Sequence, residues 1–393
     1  MKHLFLFLLT LTSSSWLLAK VNPIAPDSVA VLYNSSSAES RQLAEYYAKA
    51  RSIPAGNLIG LATSEKGKIS RAEYVKTIQD PLRKHFSDNG WWSLRNTPEG
   101  YQLATINKIK VLVCMRGIPF GVDQDATVKV PAGVKANPAS TKYNCASVDS
   151  ELAVLSIHDF PLSLPQMNQY FKKDATFNNA NLPYYMLVGR IDAEKMETCK
   201  RMIDDAIEVE KTGLLGMCYL DQAKKGAGYV LGDNWIQNIE TKCWEEGIPT
   251  TMEKTKDTYL TNYPMKDVAL YFGWYTGSRN GPFLNPHFKL KKGAVAIHLH
   301  SYSASLLRTN SKSWTGPIMH AGAAATVGNV YEPYLGATHH FDILHDRLLK
   351  GYTLVEAASM SIPLVSWQSV VIGDPLYQPY KNNNGKTCLS PKN

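Results

Sequence analysis

Apolar residues along this chain fall into short dense runs, separated by longer stretches in which they return every three or four positions. Dense runs of β-branched and aliphatic residues predict strands, and the three-to-four spacing predicts amphipathic helices. SVAVLYN (28–34) reads as a strand. The following SAESRQLAEYYAKARSI reads as a helix, because Leu43, Tyr46, Tyr47 and Ala50 share a face behind the capping candidates Ser37 and Ser40. Pro54 and Gly56 close the turn, and NLIGLA supplies a second strand, so the chain opens with a βαβ unit.

The same alternation continues. RAEYVKTIQDPLRKHFSD predicts a helix kinked or interrupted at Pro81, and KIKVLVCM (108–115) is apolar enough to be a central strand covered on both faces. Residues 123–142 carry no period and read as a surface loop, followed by a helix from Val148 and a buried strand, YYMLVGRID (184–192). AEKMETCKRMIDDAIEVEKTGL then puts Met196, Cys199, Ile203, Ala206 and Ile207 on one helix face. Strands MCYLD (217–221), DVALYFGW (267–274), GAVAIHLHS (293–301) and ATVGNV (325–330) follow, with helices around NWIQNIETKCWEEG, WTGPIMHAGA and, twice, between His339 and Ser361. Repeated βα alternation with buried strands predicts a doubly wound α/β sheet. Without an internal repeat or a Pro/Gly/Ser linker, one domain over residues 20–380 is expected, with room for two sub-sheets, and a polar tail over 381–393.

The first twenty residues break this pattern. MKHLFLFLLTLTSSSWLLAK has a basic start, an apolar run from Leu4 to Leu11 and small residues near Ala19, which predicts a secretory signal over 1–19 and export to a periplasmic or extracellular space. The run is far short of the ~20 residues a spanning helix needs, and no later segment is apolar enough, so no transmembrane segment is expected in the mature chain. Export would place six cysteines in an oxidising compartment and permit up to three disulfides, with the pairing left open. Cys114, inside KVLVCM, reads as a buried core residue.

The 393 residues carry a net charge of +8 and no block of like charges, so a nucleic-acid partner is not expected. Charge and histidine are unevenly placed. Seven of the ten histidines lie between His287 and His345, and residues 281–393 hold 10 basic against 5 acidic side chains.

Candidate chemistry concentrates in the same region. In a strand, His298 and His300 point to one face and Ser301 emerges at the carboxyl end, where open α/β sheets place ligands. An HxH pair can ligate a divalent metal together with a carboxylate such as Asp149, and a hydroxyl beside a base can serve as a nucleophile. A core histidine hydrogen-bonded to backbone is the competing account of His298. LYFGWYTGSRNGPF (270–283) offers Trp274, Tyr275 and Arg279 among glycines, which suits either ligand contact or turn chemistry. Arg190 with Asp192 in GRID, and the GDP of SVVIGDPLY, read as structural features.

These blocks resemble known ones in order. KVLVCMRGIP, SVDSELAVL, YYMLVGRID, LYFGWYTG, VAIHLHSYS with GPIMHAGAAATVGNV, and VIGDPLY look like successive segments of gingipain-type cysteine peptidases. The phrases YYAKARSIPAGNLIGL, GWYTG, HLHSYSA and SWQSVVIGDPLY are similar to an uncharacterised family of exported bacterial proteins. The resemblance implies a caspase-like three-layer αβα sandwich with a mostly parallel sheet. It also implies a His in a Gly-His-Gly turn after one strand and a nucleophilic Cys at the end of the next. Here Trp274 stands at the first position and Ser301 at the second, so ordinary Cys-His peptidase activity is not expected. Indole is a donor only and cannot relay a proton.

Two expectations follow. One is a non-catalytic or repurposed protein that binds an extracytoplasmic polypeptide or glycan through Trp274, Tyr275, Arg279, Tyr302, Arg308, Trp314 and Glu332. The other is a hydrolase using Ser301 as nucleophile, His300 or His298 as base and Asp149 in support, with a metal at His298 and His300 as its variant.

Overall fold

The computed structural model describes residues 24–127, 144–158 and 165–381. The expected signal segment, most of the 123–142 loop and Cys388 lie outside them. The core is a ten-stranded sheet built from β1 (Val29–Asn34), β2 (Leu58–Leu61), β3 (Val111–Met115), β4 (Leu187–Ile191), β5 (Met217–Asp221), β6 (Thr250–Glu253), β7 (Val268–Trp274), β8 (Val295–Leu299), β9 (Ala325–Asn329) and β10 (Ser369–Gly373). Their order across the sheet is β6-β5-β7-β8-β9-β10-β4-β3-β1-β2.

Every neighbouring pair is parallel except β9 and β10, which run antiparallel with Ala325 opposite Gly373 and Asn329 opposite Ser369. The sheet is therefore two parallel halves running in opposite directions and joined at one seam. β3, β4, β7, β8, β9 and β10 are buried along their whole length, as strands covered by helices on both faces must be.

Helices α1 (Ala38–Arg51) and α2 (Met196–Thr212) pack on each other, and so do α3 (Val230–Glu245), α4 (Phe341–Leu349) and α5 (Leu354–Ser361). The α2 stripe buries Cys199, Ile203 and Ala206 as its period predicts, joined by Met202 and Val209. Phe272 of β7 meets Phe341 and His345 of α4, with ring centroids 5.8 and 5.6 Å away, so the even positions of β7 face α3 and α4. Tyr271 points to the other side, against His298 of β8 and Phe283.

Pro81 does not break its helix. Residues Arg71–Tyr74 and Asp80–Asp88 are α-helical around a π-helical stretch, Val75–Gln79, which lies just before the proline. A wider turn there accommodates a ring that lacks an N–H and crowds the preceding carbonyls. The hairpin Trp92–Asn96 with Gln102–Asn107 is an element that the apolar pattern does not disclose.

Two buried polar networks hold the first half together. Arg190 is fully enclosed; its Nε and Nη2 donate to Asp149 at 2.9 and 2.5 Å, its Nη1 to Asp192 at 2.8 Å and its Nη2 to the Pro119 carbonyl at 3.0 Å. Asp374 accepts from the Tyr47 hydroxyl at 2.8 Å and from Arg51 Nε at 2.6 Å, while Arg51 also forks onto Glu210. A buried charge persists only when paired in this way. The Arg190–Asp192 pair and the Asp374 of GDP, which read as structural in the sequence, are tied into such networks.

Candidate functional site

A set of titratable and aromatic side chains gathers at the carboxyl ends of β7 and β8. The register sets Gly273 opposite His298 and Trp274 opposite Leu299. Consecutive residues alternate across a strand, so Trp274 turns toward α3 while His298 takes the other face with Tyr271.

Trp274 is 3% exposed, and its Nε1 donates to Asp233 Oδ1 at 2.9 Å. Asp233 also accepts from the backbone N–H groups of Ala223 and Lys224. The indole lies against Gly232 of α3, where a Cβ would stand 2.4 Å from the ring. It fills the interior between sheet and helix and presents no face to a ligand.

His298 is held from every side. Its ring stacks on Trp314, with centroids 3.6 Å apart and planes 9° from parallel. The Thr276 backbone N–H donates to Nε2 at 3.3 Å, which leaves Nδ1 to donate to the Tyr271 hydroxyl at 3.0 Å. Tyr271 in turn bonds to Asp221 at the end of β5. Burial drives His298 well below the ordinary histidine pKa, so it is the neutral imidazole. It is a core histidine, as the plainer reading of the sequence had it, with Tyr271 and Thr276 as partners in place of a carbonyl. Both of its nitrogens are engaged, which leaves no lone pair for a metal. Among the described residues no group of three or more His, Cys, Asp or Glu is arranged to hold a metal ion.

Asp221 is the unusual acid of this region. Burial, and next the carboxylate of Glu253 on β6, push its pKa up to about 8, with Tyr271 and Lys225 opposing. Gly273 makes the arrangement possible, since a Cβ there would come within 2.4 Å of the Tyr271 hydroxyl and 3.1 Å of Asp221 Cβ.

The accessible part of the site is smaller. His300 is half-buried against the Tyr275 ring at 4.9 Å; burial lowers its pKa, opposed by the Ser301 backbone and the Glu332 carboxylate. Lys225 Nζ donates to the Tyr275 carbonyl at 2.7 Å. The Tyr302 N–H donates to the Tyr331 carbonyl at 2.9 Å, joining the loop after β8 to the loop after β9. Tyr302 and Tyr334 are 48% and 42% exposed on these loops, and Glu332 lies between them in the second.

Other residues singled out in the sequence are committed elsewhere. Asp149 is spent on Arg190, and Arg308 on Asp192, which accepts from its Nε at 2.9 Å and Nη2 at 2.8 Å. Trp314 is fully buried, its Nε1 donating to the Thr276 carbonyl at 2.8 Å. Arg279 Nη1 donates to the Phe283 carbonyl at 3.4 Å. Ser301 is half-buried and makes no side-chain hydrogen bond to another described residue. Asp149, Arg308, Trp274 and Trp314 thus serve internal contacts, and the side chains brought together at the surface are Tyr275, His300, Ser301, Tyr302 and Glu332. Asp221, Asp233, Lys225 and Tyr271 belong to the same neighbourhood and are not picked out by the sequence motifs; Asp221 ends β5 and Asp233 sits in the first turn of α3, neither with a local signature.

The fold has a known counterpart. A solved structure described as a protease superposes on 91% of this chain and 79% of its own, with a TM-score of 0.51 and 15% identity. A separase–securin complex from Saccharomyces cerevisiae matches 48% of this chain and 15% of its own at a TM-score of 0.32 and 9% identity. No family model and no curated protein matches the chain. The large, mostly parallel sheet flanked by helices is thus an α/β fold shared with a protease.

Proposed function

We propose that this protein is a polypeptide-binding member of the caspase-like fold that does not hydrolyse what it binds, and that it works outside the cytoplasm. The observation that carries the reading is the Trp274–Asp233 hydrogen bond. Where the gingipain-type arrangement needs a proton-accepting imidazole, this chain has an indole locked to helix α3. A nucleophile needs a base within about 2.6–3.2 Å, and Ser301 has no such partner among the described residues. His298 is occupied by Tyr271 and Thr276.

What remains at the strand ends suits recognition. Tyr275, Tyr302 and Tyr334 supply broad amphipathic surface, the kind of side chain that anchors binding at little entropic cost. His300 and Glu332 supply one adaptable donor or acceptor and one charge. Polypeptide is favoured over glycan because the fold is shared with a protease, whose substrate is polypeptide. Export rests on the hydrophobic leader over residues 1–19.

Titration of the purified protein with a reduced, alkylated, unfolded polypeptide tests the reading. Saturable binding, weakened in His300→Ala and Tyr302→Ala and accompanied by no fragments, is the expected result. Fragments that vanish in Ser301→Ala would establish the hydrolase instead, and binding to oligosaccharides but not to polypeptide would overturn the ligand class.

A further inference from the structure

Behind the candidate site, on the α3 side of the sheet, two cysteines from different elements meet. Cys218 lies on β5 and Cys243 on α3; both have no exposed surface and belong to one apolar cluster. Their thiols are within hydrogen-bonding contact of each other, and Thr250, the residue opposite Cys218 on β6, touches both. Cys243 Sγ also lies 3.5 Å from Nε2 of His345 on α4.

We propose that Cys218 and Cys243 are a redox-active dithiol, which a low-molecular-weight disulfide oxidises to an intramolecular cystine joining β5 to α3. The order of events follows from the neighbours. Contacts with Cys218 and His345 lower the pKa of Cys243 against its burial, whereas burial raises that of Cys218, so Cys243 is the readier nucleophile of the two. Cys243 sulfur attacks one sulfur of the reagent, forming a mixed disulfide and releasing the first small thiol. Cys218 sulfur then attacks Cys243 sulfur and expels the second small thiolate, which takes up the proton that Cys218 gives up. Two protein thiols and one disulfide become one protein disulfide and two thiols, so electrons and protons balance.

Both sulfurs are enclosed in the finished fold, so the reagent meets them during a local opening of α3 in which Cys243 keeps these neighbours. The bond would fix α3, the helix that carries Gly232 and Asp233 and so holds Trp274 in place. It would be one of the up to three bridges that the six cysteines permit.

The full chain, equilibrated with oxidised and reduced glutathione in varying ratio, is quenched in acid, alkylated under denaturing conditions and digested without reduction. The expected protein has lost two alkylatable thiols and about 2 Da and yields a linked peptide pair containing Cys218 and Cys243. Cys218→Ser should halt at a glutathione adduct on Cys243. A reductant should lower the Tm of the oxidised wild type and leave the Cys218→Ser/Cys243→Ser double variant unmoved. Alkylation of both cysteines at the most oxidising ratio, or linkage of either one to a different cysteine, overturns the proposal; both outcomes are read on the wild type, whatever the variants do.

Discussion

Gly232 and Trp274 occupy one space: a Cβ on the glycine would lie 2.4 Å from the indole, whose Nε1 is bonded to the next residue of the helix, Asp233. Large and small residues are matched here across two elements. Gly232→Ala should therefore push the indole off its hydrogen bond and cost about 1–3 kcal/mol, the range for overpacking a well-filled interior. An alanine normally strengthens a helix interior by up to about 1 kcal/mol, so the sign of the change is diagnostic. Urea denaturation of the two proteins measures it, and an unchanged or raised midpoint would refute the fit.

The Asp149–Arg190–Asp192 cluster predicts a stability defect where a catalytic reading of Asp149 predicts a functional one. Arg190 has no exposure and binds both carboxylates. Removing one partner of a buried pair strands the other charge, at a cost of about 3–5 kcal/mol. Asp149→Ala and Arg190→Ala should each approach that figure, while the double variant should fall well short of their sum. Additive losses would show that the pair is not coupled.

Stability should fall with rising pH because of Asp221. The folded protein holds this proton up to about 8, whereas the unfolded chain releases it near the ordinary value of 3.8. Between those values the unfolded state binds fewer protons than the native one, so raising the pH favours unfolding, and the loss is complete above the upper value. Asp221→Asn removes the charge and keeps the shape. At pH 9 the variant should be more stable than the wild type by on the order of 3 kcal/mol, and the difference should shrink toward pH 4. Denaturation midpoints at both pH values decide it; a difference independent of pH would remove Asp221 as the titrating group.

Much of this molecule is legible in its sequence, and the parts that are not share a cause. KIKVLVCM and YYMLVGRID announce buried parallel strands because helices on both faces demand apolar residues at every position. The α2 stripe is read from its period alone. The reversal of direction at β9 and β10 is not, because antiparallel pairing of two strands far apart in sequence leaves no local mark. β6, TTME at the edge of the sheet, is half-exposed and lacks an apolar run. At the site, the sequence places Tyr275 just past β7 as found, but it carries the next strand through His300 and Ser301, whereas β8 stops at Leu299 and both lie beyond it. It cannot tell that Trp274 and Trp314 turn inward, because the room for Trp274 comes from the missing side chain of Gly232, and Trp314 is covered by its stack on His298.

The same geometry sets an expectation for rebuilding the gingipain-type pair. Trp274→His with Ser301→Cys would restore both side-chain types at the positions the resemblance points to. The side chain at 274 follows the even positions of β7 toward α3, however, where Asp233 waits with its oxygens aimed inward. An imidazole there would bond to Asp233 and leave a cavity where the indole was, with a stability loss of about 3–5 kcal/mol for so large a truncation. It would not reach a sulfur at 301, which follows His300 beyond the end of β8. Peptide hydrolysis by the double variant should therefore stay at the background of the wild type. A rise in cleavage that alkylation of the introduced thiol abolishes would mean that the ends of β7 and β8 converge more closely than this packing allows.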